Sequence, residues 1–237
     1  METSNSATHG AGDGAQARLP QTVEVSTGAT PRFSVIWLHG LGADGHDFEP
    51  VVPALGLSGG PAVRFVFPHA PVRPVTMNGG MPMRAWYDIM AISASRDQDE
   101  AGIAASTALV DALIAREIER GVPAERQVLA GFSQGGAMAL HAGLRQPRRL
   151  AGIIALSSYL LFPERLDSER STVNAGLPVF IGHGAMDPVV PFAMGKASAE
   201  KLAQLGYATS WHSYPLPHSV SMDELSDIGS WLRARMA

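Results

Sequence analysis

Three side chains have the types and order of a nucleophile, an acid and a base. Gly131-Phe-Ser-Gln-Gly135 is a G-x-S-x-G motif between an apolar strand pattern and a helical pattern. This motif forms a strained turn that lifts a serine hydroxyl out of a sheet. A serine is a weak nucleophile unless a base activates it and an acid orients that base. We therefore predict Ser133 as a nucleophile and search downstream for its partners.

Asp187 and His218 are the predicted acid and base. In folds built around this turn the chain order is serine, then Asp or Glu, then histidine. Asp187 follows the apolar run that ends at Ile181, and His218 follows the last predicted strand. The other histidines fit less well: His183 lies too close to Asp187, and His212 lies inside a predicted strand.

Such a site also needs two backbone N–H groups that bind the developing oxyanion. One is expected at Gln134, directly after the nucleophile, and the other in the loop after an earlier strand. His39-Gly-Leu-Gly42 is that loop, and we predict Leu41 as the second donor.

The same loop contains a competing pattern. Gly40-x-Gly42-x-x-Gly45 matches a dinucleotide-binding fingerprint. However, Pro50 and Pro53 interrupt the helix that would hold a pyrophosphate, and the next strand ends without the acidic residue that binds ribose. A metal site is not expected either, because no carboxylate cluster accompanies the histidines of this loop.

The predicted elements that position these residues alternate between strands and helices. This alternation indicates a mostly parallel sheet with helices on both faces. Asp97 with Glu100, and Ser221 with Glu224, predict capping boxes at the starts of two helices. The Pro- and Met-rich segment 70–88 is expected to be a long ordered loop or a hairpin.

Composition limits the other possibilities. The 237 residues include no cysteine, which excludes disulfides and thiolate chemistry. The net charge of −4 offers no electrostatic support for a nucleic-acid partner. No apolar run is long enough for a secretory signal or for stable insertion into a membrane, so we expect a cytoplasmic protein. Residues 1–21 are expected to be a disordered extension and residues 22–237 a single domain.

The motifs together resemble the carboxylesterase/acyl-protein thioesterase (lysophospholipase-like) family of α/β hydrolases. The matching segments are His39–Gly42 with Gly45-His-Asp47, Arg84-x-Trp-Tyr-Asp88, Gly131–Gly136, Gly182-His-Gly184 with Asp187–Val190, and His218-Ser219. The resemblance implies an α/β-hydrolase fold, a triad at Ser133, Asp187 and His218, and an oxyanion hole at Leu41 and Gln134. It also implies ester or thioester hydrolysis without metal or cofactor, and is compatible with a homodimer.

The sequence says less about the substrate than about the type of reaction. We expect a small-molecule ester or an acylated substrate. The first expectation is a short-to-medium-chain carboxylic ester. The alternative is a substrate with a long acyl chain, as in acyl-protein thioesterases and lysophospholipases. A hydrolase fold that only binds its ligand is the non-enzymatic alternative. Candidate substrate contacts, which could equally be ordinary packing or loop anchors, are Met77, Met81, Trp86, Leu160 and Val189.

Overall fold

The computed structural model describes residues 19–90 and 98–236, which include a twisted seven-stranded sheet and a separate two-stranded hairpin. The sheet order is β1-β3-β2-β6-β7-β8-β9, and every pairing is parallel except that of β1 with β3. The strands are β1 Thr22–Ser26, β2 Phe33–Leu38, β3 Val63–Pro68, β4 Val72–Val75, β5 Met81–Arg84, β6 Gln127–Phe132, β7 Gly152–Leu156, β8 Pro178–Gly184 and β9 Ala208–Tyr214.

Helices follow most of the strands, as a parallel sheet requires. The α-helices are α1 Glu100–Glu119, α2 Gln134–Arg145, α3 Leu166–Glu169, α4 Phe192–Gln204 and α5 Met222–Met236. Short 3-10 helices occupy Glu49–Leu55, Thr76–Asn78, Ala124–Arg126 and Thr172–Asn174. The predicted α/β class and its mostly parallel sheet are confirmed. No helix among the described residues has the length and apolar character needed to cross a membrane.

The central strands are apolar on both faces because both faces are covered. In β2, Ile36 and Leu38 join the core beneath α1, α2 and α4, whereas Val35 and Trp37 join the core beneath α5. Successive side chains of a strand point to opposite faces. This explains why these strands read as nearly continuous hydrophobic runs and not as alternating ones.

Two local predictions need correction. Helix α1 begins at Glu100, and its N-cap is Asp99, whose side chain accepts from the N–H of Gly102 at 2.8 Å. Asp97, the predicted cap, lies outside the described residues. At α5 the Ser221 hydroxyl accepts from the N–H of Glu224 at 3.2 Å, but the Glu224 carboxylate makes no return bond.

Segment 70–88, expected as a loop or a hairpin, contains the hairpin β4–β5.

The Glu224 carboxylate is instead buried against the sheet. Only 1% of the residue is exposed, and neither carboxylate oxygen has a hydrogen-bond partner among the described residues. At Gly182 in β8 a Cβ atom would lie 2.1 Å from Glu224 Oε1, so the carboxylate occupies the space that this glycine leaves. Burial raises the pKa of Glu224 to about 7, and the nearby Asp227 adds to the shift.

This burial predicts a pH-dependent stability. Between the unfolded pKa of about 4.3 and the folded pKa, the folded state alone keeps the proton, so stability falls as pH rises. Glu224→Gln removes this titration. We expect the variant to gain about 3 kcal/mol relative to the wild type between pH 5 and pH 8 in urea unfolding. Asp223→Asn, at an exposed neighbour, should show no comparable gain. An equal pH dependence for Glu224→Gln and wild type would contradict the prediction.

Candidate active site

The turn at Ser133 is strained and held from three sides. Ser133 has φ 54° and ψ −120°, a conformation that non-glycine residues rarely adopt. Its N–H donates to the Leu156 carbonyl of β7 at 2.8 Å. Its carbonyl accepts from the Ala137 N–H at 3.1 Å and from the Ser158 hydroxyl at 2.9 Å. The Ser133 hydroxyl does not cap α2, which leaves it available for chemistry.

Close backbone packing around this turn explains its two flanking glycines. A Cβ at Gly131 would lie 2.3 Å from the Gly135 carbonyl atoms. A Cβ at Gly135 would lie 2.2 Å from the Leu38 carbonyl oxygen and 2.5 Å from that of His39. Helix α2 therefore begins directly against the end of β2, and this contact brings the serine close to the loop 39–42.

Asp187 and His218 meet although they are 31 positions apart in the sequence. Asp187 follows β8 and His218 follows β9, and the two strands are parallel neighbours. His218 Nδ1 donates to Asp187 Oδ2 at 2.6 Å. Asp187 Oδ1 accepts the N–H groups of Val189 and Val190 at 2.8 and 2.9 Å. Burial opposes ionisation, but these bonds outweigh it and lower the pKa of Asp187 below its ordinary value.

The His218 ring lies beside the serine turn. It packs on Phe132, the residue before Ser133, with 4.6 Å between ring centroids. With Nδ1 engaged by Asp187, Nε2 is the nitrogen left for other contacts. The three sequence-predicted residues are thus brought to one edge of the sheet, at the carboxyl ends of β6, β8 and β9.

His183 bonds the turn that holds the Asp187 carboxylate. It is fully buried, and its Nε2–H donates to the Val190 carbonyl at 3.0 Å, closing the turn that also binds the Asp187 carboxylate. Burial lowers the pKa of His183, which favours its neutral form. The Gly182-His-Gly184 pattern indicated this loop in the sequence, but the contact with Val190 could be found only in the structure.

Leu41, the predicted N–H donor, is the second residue of a turn in the loop 39–42. Ala43 N–H closes a turn onto the Gly40 carbonyl at 3.3 Å, and Gly42 in this turn has φ 76°. A turn of this kind uses a positive φ at its third residue and leaves the N–H of its second residue unbonded within the turn. Gln134 lies in the first turn of α2, where N–H groups have no intrahelical partner.

His39 fixes the start of this loop as a neutral imidazole. Its Nδ1–H donates to the Gly40 carbonyl at 2.7 Å, and its Nε2 accepts from the Ala70 N–H at 3.0 Å. Burial lowers the pKa of His39 to about 4, so this bonding pattern persists at neutral pH. Among the described residues no group of three or more His, Asp or Glu side chains is arranged to hold a metal ion.

A serine outside this turn, Ser210, touches an imidazole. Ser210 Oγ lies 2.7 Å from His212 Nε2, and His212 Nδ1 lies 3.7 Å from Asp227 Oδ2. Ser210 is in the middle of strand β9, however, whereas Ser133 begins a helix. Ser210 therefore provides a control for the special position of Ser133.

The candidate substrate contacts separate into exposed and buried residues. Met77, Met81 and Val189 are exposed, Leu160 is almost buried, and Trp86 is completely buried. For Trp86 this burial favours the loop anchor over the substrate contact, the two roles that the sequence left open. Its indole N–H donates to the His39 carbonyl at 2.9 Å, which makes it part of the support of the loop 39–42.

The sheet order and the strained serine turn define the class of the protein, the α/β hydrolases. Comparison with known proteins identifies the family within this class. Residues 21–236 match the phospholipase/carboxylesterase family, and the chain belongs to that family. The resemblance inferred from the sequence is confirmed. The chain is an esterase-type hydrolase.

Individual relatives agree with this assignment. The chain is 42% identical over 212 residues to acyl-protein thioesterase 1 of Neurospora crassa, covering 86% of each chain. It is 38% identical over 218 residues to the Yarrowia lipolytica protein of that name, covering 89% of this chain and 95% of the relative. The crystal structure of Arabidopsis thaliana SOBER1 matches with TM-score 0.80 and 33% identity, over 87% of this chain and all of that one.

The contact of Gly135 with β2 generates a prediction. In Gly135→Ala the new methyl group must push α2 away from the Leu38 and His39 carbonyls. We expect a loss of about 2 kcal/mol or more in the free energy of unfolding and loss of most esterase activity. Gly60→Ala is the matched control, because its Cβ would meet the Leu57 carbonyl oxygen at an ordinary 3.6 Å. Equal effects of the two substitutions would contradict the packing argument.

Proposed function

We propose that the chain hydrolyses long-chain acyl thioesters and oxygen esters through an acyl-enzyme on Ser133. The observation that carries the chemistry is the Asp187–His218 pair held beside the strained serine turn. The relatives named acyl-protein thioesterase support the long-chain alternative better than the short-to-medium-chain carboxylesterase that the sequence analysis placed first.

In the proposed reaction His218 Nε2 takes the hydroxyl proton as Ser133 Oγ bonds to the acyl carbon. The carbonyl π electrons move to oxygen, where the N–H groups of Leu41 and Gln134 stabilise the negative charge. The intermediate then expels the thiol or alcohol, which receives the proton from His218. Water attacks the acyl-enzyme in the same way, releasing the carboxylic acid and restoring the hydroxyl. Asp187 stays ionised and stabilises the imidazolium.

Apolar residues beside the site support a long acyl chain. The Arg84 carbonyl at the end of β5 accepts from the Gly42 N–H at 2.9 Å, so the end of the hairpin contacts the loop 39–42, called the oxyanion loop below. Met81 on this hairpin is about three-fifths exposed (61%), and it shares a face with Met83, whose Sδ would lie 3.8 Å from a Cβ at Gly42. Exposed methionine adapts its shape to irregular apolar ligands.

The nucleophile is tested by comparing two serines. Ser133→Ala should lower kcat/KM for p-nitrophenyl esters by about 10⁴-fold or more, because the acyl-enzyme cannot form. Ser210→Ala removes a hydroxyl that lies 2.7 Å from His212 Nε2, and it should keep activity within about twofold of wild type. Urea unfolding of both variants checks that they fold. Retained activity in Ser133→Ala, or a comparable loss in Ser210→Ala, would contradict the proposal.

Chain length tests the substrate. We expect kcat/KM to rise along a series of p-nitrophenyl esters from acetate to palmitate, and a peptide carrying palmitoyl-cysteine to be cleaved. Met81→Glu should weaken the longest substrates most, by about tenfold, because it places a charge where the acyl chain would bind.

Val173→Glu is the control for added charge. Val173 is also exposed, at 49%, but its carbonyl bonds Arg149 near the start of β7, at the opposite edge of the sheet. For the Val173→Glu variant, the dependence of kcat/KM on acyl-chain length should equal that of the wild type. A wild-type maximum at acetate or butyrate would instead support the short-chain carboxylesterase. No serine-dependent turnover of any substrate would support a fold that only binds.

A further inference from the structure

Two N–H groups on separate segments must meet one oxygen atom in the proposed reaction. Leu41 lies in the turn after β2, and Gln134 begins α2, more than 90 residues later. An oxyanion donor acts only when it lies within hydrogen-bond distance of the developing charge. The rate of the proposed reaction therefore depends on the distance between these two segments. That distance is set by the contacts that join them.

A third segment joins them through buried hydrogen bonds. The Gln134 side chain accepts from the Trp86 N–H at 2.9 Å through Oε1 and donates to the Tyr87 carbonyl at 2.8 Å through Nε2. The Trp86 indole N–H donates to the His39 carbonyl at 2.9 Å. Trp86 thus contacts the first residue of the oxyanion loop at one end and the first residue of α2 at the other.

The segment that carries Trp86 is itself held in place by two further hydrogen bonds. The Ser106 hydroxyl of α1 donates to the Trp86 carbonyl, and the Arg84 carbonyl accepts from the Gly42 N–H. Trp86 is fully buried and Gln134 is 2% exposed, so water does not compete for these bonds. Buried, fully paired polar groups of this kind hold a single geometry.

We propose that Trp86 and the Gln134 side chain are positioning residues that set the separation of the two oxyanion donors. This inference rests on the proposed function. It gives Gln134 two roles: its backbone N–H faces the oxyanion, and its side chain fixes where that N–H lies.

The test separates positioning from simple core filling. Trp86→Phe keeps an aromatic ring but removes the indole N–H, and Gln134→Met keeps the backbone N–H but removes both side-chain bonds. We expect each to lower kcat by about 10- to 100-fold with KM within about twofold, because the misplaced donors affect only the transition state. Affinity for an acyl trifluoromethyl ketone, which forms an oxyanion on the serine, should fall in proportion to kcat/KM. Affinity for a non-reactive ether analogue should not change.

Trp37→Phe is the matched control. Trp37 is buried to the same degree, in β2, but its indole N–H has no hydrogen-bond partner among the described residues. This variant should lose stability without losing kcat or ketone affinity. If Trp86→Phe unfolds at the assay temperature, Gln134→Met decides the question, because it leaves the tryptophan in place.

The outcomes distinguish this inference from the proposed function. An inactive wild type, or an active Ser133→Ala, overturns the proposed function. A serine-dependent wild type whose folded Trp86→Phe and Gln134→Met variants keep full kcat and ketone affinity overturns the positioning role alone. An equal fall of kcat in Trp37→Phe also overturns it, since any buried tryptophan would then have the same effect.

Discussion

At Ser133 the chain passes from strand to helix through one residue with φ 54°, and the surrounding architecture accommodates this strain. The turn is possible because α2 begins in backbone contact with the end of β2, where Gly135 meets the Leu38 and His39 carbonyls. Strain of this kind persists only where neighbouring contacts over-determine the backbone. Here β7 contributes the Leu156 carbonyl, and the following loop contributes the Ser158 hydroxyl. The sheet and the loop after β7 thus hold the Ser133 backbone in this conformation.

The remaining parts of the site are arranged around that fixed point by strand order. Parallel neighbours β8 and β9 end side by side, so residues 31 positions apart meet as the Asp187–His218 pair. The acid is fully bonded: two backbone N–H groups hold one oxygen and the imidazole holds the other. Such a carboxylate can orient a base without taking its proton. Burial lowers the pKa values of His39 and His183, whose ring nitrogens bond backbone groups of the loop 39–42 and of the turn that holds Asp187.

The sequence predicted the features that depend on local pattern. The glycines around Ser133, the chain order of Asp187 and His218, and the alternation of strands and helices are all visible without a structure. Features that depend on contacts between residues far apart in the chain could not be predicted from the sequence. Trp86 bonds residues 47 and 48 positions away, and no periodicity reveals that its indole supports the oxyanion loop. Glu224 has the spacing of a capping box, yet tertiary packing buries it against β8. At α1 the spacing to Glu100 favoured Asp97, yet Asp99 caps the helix through a bond to the Gly102 N–H, a contact that the capping-box spacing does not describe.

Covalent labelling by a fluorophosphonate tests the central claim most directly, because the reagent traps a nucleophilic serine without requiring the right acyl chain. The labelled protein is digested with trypsin and the modified residue is located by mass spectrometry. The account predicts one label, on Ser133 in the peptide 127–145, with labelling slowed strongly in Asp187→Asn. A label on Ser210, or full turnover of an ester substrate by protein that is completely labelled on Ser133, would contradict it.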